Sequence, residues 1–448
     1  MTTRTQFFPI ASSLMVFVAA GCGDTAQLAE NRTTGAKPEL PPPTEMLLPT
    51  VKIAPAVGWP KGAMPTAAAG LRANPFARDL DHPRWLYVLP NGDVLVAETN
   101  APERPEEGTG VKGFVMGLVM QRAGAAVPSA NRITLLRDVN GDGVAELRTV
   151  FLEGLNSPFG MALVGDDFFV ANTDAILRFA YSAGQTKING PGTKLAGLPG
   201  GPLNHHWTKG LIASGDRTKL YASVGSNSNA GENGIDKEAD RAQILEIEIA
   251  TGKTRSFATG LRNPVGMALE PQSGALWTVV NERDELGSDL VPDYLTSVRD
   301  GAFYGWPYSY FGRHVDTRVT PPRPDLVKLA VTPDYALGNH VAPLGLAFAT
   351  SGRLSAQFAN GAFVGEHGSW NRNPLSGYKV VFVPFADGRP TGPPVDVLTG
   401  FVDANEDARG RPVGVALDRE GSLLVADDVG NVVWRVSGTG PREVSAYR

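Results

Sequence analysis

One pattern recurs six times along this chain, and that recurrence limits the fold more than any other feature. Each copy has a small or Pro-containing entrance, a short apolar strand, a Gly-bearing turn, and a second β-rich strand ending on a polar residue. The copies are HPRWLYVLPNGDVLVAETN (82–100), SPFGMALVGDDFFVANTD (157–174), HWTKGLIASGDRTKLYASVGSN (206–227), NPVGMALEPQSGALWTVVNE (263–282), APLGLAFATSGRLSAQFANGAFVGEHG (342–368) and RPVGVALDREGSLLVADDVGN (411–431). Turn pairs such as Asn91-Gly92 and Glu420-Gly421 lie between alternating apolar residues, as antiparallel hairpins require. With 52 Gly and 35 Pro in 448 residues, the composition suits many short strands and disfavours helical bundles and coiled coils. A spacing of roughly 50–80 residues per copy exceeds a compact propeller repeat of ~40–50 and leaves room for long loops. The economical expectation is an all-β chain folded as a six-bladed β-propeller of four-stranded antiparallel blades. A β-sandwich with an accessory domain explains the alternation but not six similar hairpins. The polar residues closing the second strands, Glu98, Asn172, Asn227, Asn281, Glu366 and Asp427, then either line the axis or cap strands.

The N-terminus reads differently. Phe7 to Ala20 is apolar, contains Pro9, and is too short to span ~30 Å of hydrocarbon as a helix. It fits the apolar region of a secretory signal. Its end, Ala19-Ala20-Gly21-Cys22, resembles a bacterial lipoprotein cleavage site with Cys22 lipidated; an ordinary signal peptide with an incidental Cys is the alternative. The expected organisation is a lipoprotein-type signal over 1–22, a disordered tether over 23–64 containing Pro41-Pro42-Pro43, and the propeller over 65–448. The mature protein would face the periplasm from the bacterial cell envelope, touching membrane only through its lipid. One Cys excludes an internal disulfide, and no Cys-x-x-Cys is present for zinc, an iron–sulfur cluster or c-type haem. A net charge of −5 offers no basic surplus for nucleic acid.

Several residues suit chemistry. His205 and His206 are adjacent at the third copy; in an extended segment neighbouring side chains face opposite ways, so at most one imidazole points to the axis. An imidazole with its ordinary pKa of about 6.5 takes a proton at neutral pH, whereas a structural, hydrogen-bonded His is the alternative role. Arg262 precedes the fourth copy and Arg411 opens the sixth, with Arg409 beside it; guanidinium forks bind carboxylates bidentately or brace blades. Asn281 to Asp289 is rich in oxygen ligands for a hard cation. GEHGSWNR (365–372) combines His367, Trp370 and Arg372, and its indole either stacks on a flat cofactor or packs a blade. In DVNGDGVAE, Asp138, Asn140, Asp142, the carbonyl of Val144 and Glu146 match the early positions of a calcium loop. Thr149 stands where an EF-hand has Glu, so the expectation is a calcium-stabilised hairpin between blades, or an Asx-turn without metal.

Taken in order, the strings HHWTKGLIASGDRTKLYASVGSNSN, GLRNPVGMAL, VNERDELGSDLVPDYLT, GAFYGWPYSYFG, GAFVGEHGSWNR, GYKVVFVPF and GRPVGVALDREGSLLVADDVGNVVWRV resemble the sorbosone dehydrogenase family. That family lies within the soluble aldose dehydrogenases that use pyrroloquinoline quinone (PQQ). The resemblance covers about residues 75–437 and implies the same six-bladed propeller. It implies oxidation of a sugar or sugar aldehyde by base-assisted hydride transfer to PQQ, with electrons passing to an external quinone or small cytochrome. It implies His206 as base, Arg262, Arg409 and Arg411 as partners of the cofactor carboxylates, Asn263 as a hydrogen-bonding rim residue and Asn281 near the quinone. His367 and Trp370 would flank the cofactor, and the carbonyls of Glu282 and Arg283 with the carboxylate of Asp289 would hold its calcium. This chain departs from the glucose dehydrogenases in three places. His205 replaces an acidic residue, Glu282-Arg283 replaces a Gly-Pro turn, and their cofactor-facing Lys has only His367 and Arg372 as nearest candidates. A calcium-dependent lactonase or related hydrolase, and a non-enzymatic binding propeller, are the competing functions on this architecture.

Overall fold

The structure, a computed structural model, describes residues 23–44, 50–102, 117, 120–349 and 354–440. Six four-stranded antiparallel sheets surround one axis as a six-bladed β-propeller. Blade 1 comprises Pro83–Val88, Val94–Glu98, Arg132–Arg137 and Leu147–Leu152; blade 2, Met161–Val164, Asp167–Ala171, Ala175–Ala180 and Thr193–Gly197; blade 3, Leu211–Ala213, Lys219–Val224, Gln243–Glu248 and Thr254–Thr259. Blade 4 comprises Asn263–Leu269, Leu276–Asn281, Pro292–Ser297 and Tyr335–Asn339; blade 5, Pro343–Phe348, Gly361–Glu366, Lys379–Ala386 and Val395–Thr399. Blade 6 takes Pro412–Leu417, Leu423–Asp427 and Val432–Gly438 from the C-terminal part of the chain and its outermost strand, Leu71–Ala77, from the N-terminal part, which seals the ring.

The repeated sequence works because of one small residue. Gly160, Gly210, Gly266, Gly345 and Gly414 fall at the same point of five copies, and a Cβ on each would strike the next blade. It would meet the backbone of Leu211 from Gly160, the Val265 carbonyl from Gly210, the Leu344 carbonyl at 2.6 Å from Gly266, the Val413 carbonyl from Gly345, and the Arg84 carbonyl at 2.8 Å from Gly414. Innermost strands therefore approach backbone to backbone, as only Gly permits. The residues before four of these glycines or at the matching point, Phe159, Val265, Leu344 and Val413, share one buried cluster with Trp85 and Trp207. In blade 3 that preceding position is Lys209 and in blade 1 the matching residue is Arg84, so two basic side chains join an otherwise apolar plug.

In three blades the strand-closing polar residue stands opposite the entrance proline: Pro83 opposite Glu98, Pro343 opposite Glu366, and Pro412 opposite Asp427. In blade 4 it falls one residue further along, with Pro264 opposite Val280 and Asn263 opposite Asn281. Those best tied cap strands. Glu98 accepts from Asp81 N, Thr134 Oγ1 and Arg132. Asp427 accepts from the amides of Arg411 and Gly430, both at 2.8 Å, and from the indoles of Trp59 and Trp434 at 2.7 and 3.0 Å.

Within the stretch expected as a tether, residues 23–44 and 50–64 lie on the propeller. Thr34–Gly35 adds an edge strand to blade 4, and Thr66–Ala67, just beyond the stretch, adds one to blade 5. Asp24 Oδ2 accepts from Ser288 N at 2.7 Å, and Lys52 N donates to the Trp370 carbonyl at 2.8 Å. Caps, backbone bonds and single apolar contacts from Leu40, Ala54 and Trp59 hold this segment rather than a periodic apolar face, which is why no hydrophobic period marks it. Cys22 and the signal lie outside the described residues. Among the described residues, no helix is long and apolar enough to cross a membrane.

The axis contacts make a direct prediction. Gly210→Ala should lower unfolding free energy by about 1–3 kcal/mol, the usual cost of overpacking. Gly190→Ala, where a Cβ meets nothing within 4 Å, should leave it unchanged in the same chemical denaturation series.

Candidate functional site

Strand starts and second-strand ends meet at one end of the axis, and His206 lies there on the loop before Leu211–Ala213. Arg241 shapes that loop. Its Nη2 donates to the carbonyls of Pro199, Gly200 and Leu203 and to Asn204 Oδ1 at 3.0–3.3 Å, and its Nη1 donates to the Gly225 carbonyl at 3.3 Å. Fully buried Lys209 donates to the Trp207 carbonyl at 3.0 Å.

His206 Nδ1 lies 2.9 Å from the Ser226 carbonyl and 3.1 Å from Ser226 Oγ. The Ser226 hydroxyl hydrogen is used on the Ser228 carbonyl at 2.6 Å, so both Ser226 oxygens are acceptors. Nδ1 therefore carries the hydrogen and Nε2 the lone pair. Among the described residues no carboxylate orients this imidazole; the Ser226 backbone does. Burial, His205 and Arg262 together push its pKa well below the ordinary imidazole value, so it is neutral. His205 is exposed, its ring perpendicular to that of His206 at 4.7 Å. Gly225 lets His206 and Asn263 come together, because a Cβ there would strike both side chains. Asn263 Oδ1 is buried with no partner.

Arg262 is held on every side. Nε and Nη2 donate to Asn229 O and Oδ1 at 3.1 Å, Nη1 to the carbonyls of Asn281 and Glu282 at 3.3 and 2.6 Å, and Nη2 also to Asp284 Oδ2 at 3.1 Å. All five guanidinium hydrogens thus have protein acceptors. Burial raises the Asp284 pKa, but Arg262 and His340 outweigh it and hold the carboxyl at about 2. Asn281 Nδ2 donates to the Pro343 carbonyl at 2.7 Å and ties blade 4 to blade 5.

A second cluster joins blades 1, 5 and 6. Asp428 Oδ2 takes Arg84 Nη1 at 2.6 Å and His367 Nε2 at 2.9 Å, while His82 Nδ1 reaches the Asp428 carbonyl at 3.1 Å. Asp428 Oδ1 is buried without a partner. Burial outweighs Asp428 and lowers the His367 pKa to about 4. Arg84 also lies 5.8 Å over the Trp207 ring, linking this cluster to the His206 loop. Arg411 donates from Nη2 to Tyr378 Oη at 2.9 Å and keeps Nε unpartnered; Arg409 makes one loose ion pair, 3.7 Å to Asp403.

The groups implied for cofactor calcium are only partly engaged elsewhere, and Asp289 Oδ1 is buried with no partner. The Glu282 carbonyl takes Arg262, and the Arg283 side chain is fully buried on Glu282 and Asp316. Asp289 Oδ2 accepts from the amides of Gln27 and Leu28, and Arg372 donates to the Ser288 carbonyl. Trp370 lines a cleft beneath the N-terminal segment. Asp138, Asp142 and Glu146 do converge, with ligand oxygens within 4.8 Å of one another. That loop is a hairpin within blade 1, joining its third and fourth strands, rather than a link between blades, although its Gly143 packs on Arg435 of blade 6. Asn140 Nδ2 donates to Asp142 and Glu146 at 3.2 and 2.6 Å, and Val144 N donates to Asp142 Oδ1 at 2.9 Å.

Sequence reasoning missed Arg84, Arg241, Ser226 and Asp428. Arg84 was signalled by a charge where four of the other copies carry an apolar residue, and Asp428 by standing next to a strand-closing Asp. Arg241 carries no signal, since it lies between motifs.

Comparison with known proteins adds a family match: the TrAA12-like family model matches residues 118–294 and 327–439. An uncharacterized protein of Borreliella burgdorferi is 30% identical over 241 residues, covering 53% of this chain and 62% of that protein, so the chain spans less than two thirds of this relative. A pyrroloquinoline quinone-dependent sugar dehydrogenase of Hypocrea jecorina is 23% identical over 421 residues, covering 81% of this chain and 87% of that protein. The calcium structure of the Trichoderma reesei family AA12 carbohydrate-active enzyme superposes with a TM-score of 0.67 at 19% identity, covering 87% of this chain and 99% of the other, a likeness of fold.

The buried imidazoles set an acid limit. His206, His367 and His82 have folded pKa values below the unfolded value, so below about pH 6.5 the unfolded chain takes up protons that the folded chain refuses. Melting temperature should fall as the pH drops from about 6.5 towards 4, and His206→Asn should flatten that fall; parallel profiles for the two proteins would contradict a neutral, buried His206.

Proposed function

The chain belongs to the TrAA12-like family, and from that premise we propose that it is a PQQ-dependent dehydrogenase oxidising a sugar or sugar aldehyde, with electrons passed to an external quinone or small cytochrome. The observation that carries this reading is His206: neutral, fixed through Nδ1–H, with its Nε2 lone pair unused beside Asn263. The relative in Hypocrea jecorina supports the cofactor and the substrate class. The strings around His206, Arg262 and Arg411 support the finer likeness to sorbosone dehydrogenases.

The donor set fits a planar polyanion such as PQQ: Arg411 has an unpartnered Nε and Arg409 only a loose ion pair. Asn263 offers an unpaired buried oxygen, an acceptor for an N–H or O–H rather than a partner for a carboxylate. Arg409 and Arg411 take carboxylates; Arg262, already saturated, fixes Glu282 and Asp284 and keeps His206 unprotonated through its charge. His367 and Asn281 flank the same end of the axis. When bound, PQQ supplies the hydride acceptor. His206 Nε2 takes the proton from the substrate hydroxyl, and the Ser226 carbonyl, holding Nδ1–H, stabilises the imidazolium that forms. Glu282, Arg283 and Asp289 do not form a ready calcium cage, since a guanidinium already occupies the Glu282 carbonyl at 2.6 Å. Calcium fits the 138–146 hairpin better, where three carboxylates converge, and would act there on stability. The reading places the protein in the cell envelope, anchored through lipid on Cys22 and facing the periplasm.

The test is titration of the purified protein with PQQ and Ca²⁺, following cofactor absorbance and dye reduction with aldoses and sugar aldehydes. His206→Ala should cut turnover by about 10²–10⁴-fold while sparing PQQ affinity, and Arg411→Ala should weaken PQQ binding. Failure of the folded protein to bind PQQ would turn the assignment towards a lactonase, in which a metal activates water and no dye is reduced. Chelation should lower the melting temperature of the wild type and leave that of Asp138→Ala unmoved.

A further inference from the structure

A cleft of about 630 Å³ lies beside the axis, between the N-terminal segment, an insertion in blade 4 and the loop after the second strand of blade 5. The insertion carries the short hairpin Ser309–Tyr310 and His314–Val315. Buried Arg283 pins it, donating to the carbonyls of Pro307 and Ser309 at 2.9 and 2.6 Å and to Asp316 at 2.9 Å. The volume lies in the range of small-molecule sites, ~300–1,000 Å³.

The lining selects a chemistry. Arg318 grips Asp316 through two parallel bonds, Nε to Oδ1 at 2.9 Å and Nη2 to Oδ2 at 2.8 Å, so the wall is planar and hydrogen-bonding without a surplus of positive charge for an anion. The half-buried Trp370 indole and Val315, 53% exposed, add apolar surface; Thr44, Thr50 and Asn371 add small polar groups. An apolar face beside a fixed polar edge complements a neutral, polyhydroxylated ring, whose C–H face stacks on an aromatic while its hydroxyls bond the edge. The cleft also adjoins the axial site: Asn371 Nδ2 donates to Asp284 Oδ1 at 2.7 Å, and Asp284 Oδ2 takes Arg262 at 3.1 Å. Thr44, Thr50, Val315 and Arg318 lie outside the two segments that match the family, whereas Trp370 and Asn371 lie within them.

We infer that this cleft is a saccharide subsite that holds a sugar ring joined to the reacting one, so that the substrate is the end of an oligosaccharide rather than a free monosaccharide. The inference rests on the dehydrogenase reading for the reacting ring, but not for the cleft itself. The test uses the cofactor-free protein, titrated with glucose, cellotriose and maltotriose by calorimetry and tryptophan emission. At least one trisaccharide should bind about tenfold or more tightly than glucose. Val315→Arg and Thr317→Arg, both on the exposed hairpin, should each remove most of that advantage and leave PQQ affinity unchanged. Trisaccharides that bind no tighter than glucose, or that bind both variants as well as the wild type, would overturn the subsite. Trisaccharide binding without PQQ binding would sink the dehydrogenase reading and leave the cleft standing; oxidation of glucose with no trisaccharide preference would do the reverse.

Discussion

Backbone-to-backbone contact at the axis is the constraint on which the rest of this propeller depends. Five innermost strands bring a glycine so close to the next blade that no Cβ fits, and the sixth closes the ring with Trp85 packed 4.7 Å from Phe159. Such contact leaves no room for a wide channel, so the axis is filled by the residues around those glycines. Chemistry is thereby displaced to one end, where strand starts and strand-closing residues pair.

The plug is not wholly apolar, and its two exceptions place basic side chains beneath that end. Lys209 stands under the loop of His206, and Arg84 reaches from the Trp207 ring to Asp428. A buried charge survives only when its donors find acceptors. Lys209 finds backbone carbonyls, and Arg84 finds a carboxylate. Burial, with His205, Arg262 and Arg241 adding to it, keeps the His206 imidazole neutral. The two imidazoles at this end are held differently: His206 by a backbone carbonyl, His367 by a carboxylate.

Much of the fold was legible because the hairpins repeat. Six copies, alternating strands and Gly-bearing turns are local properties, and they led to six blades of four strands. The sealing strand Leu71–Ala77 and the docked segment 23–44 were not legible, since their partners lie hundreds of residues away and they bury no periodic face. The candidate site divides in the same way. His206, Asn263, Arg262 and Arg411 stood inside repeated motifs and could be named. Arg241 could not, because a guanidinium that collects three carbonyls from a distant loop and a fourth from Gly225 leaves no local pattern.

The sequence by itself determined the number of blades, the placing of candidate chemistry at blade entrances, and the absence of disulfide and haem-attachment chemistry. Those follow from residue type and short-range spacing. Only the tertiary structure decided that Arg262 is saturated by protein acceptors, that Ser226 sets the tautomer of His206, that the Glu282 carbonyl already holds a cation, and that the N-terminal segment walls a cleft beside the axis. Each depends on where a side chain spends its hydrogen bonds, and that is settled by neighbours that the fold brings together from separate blades.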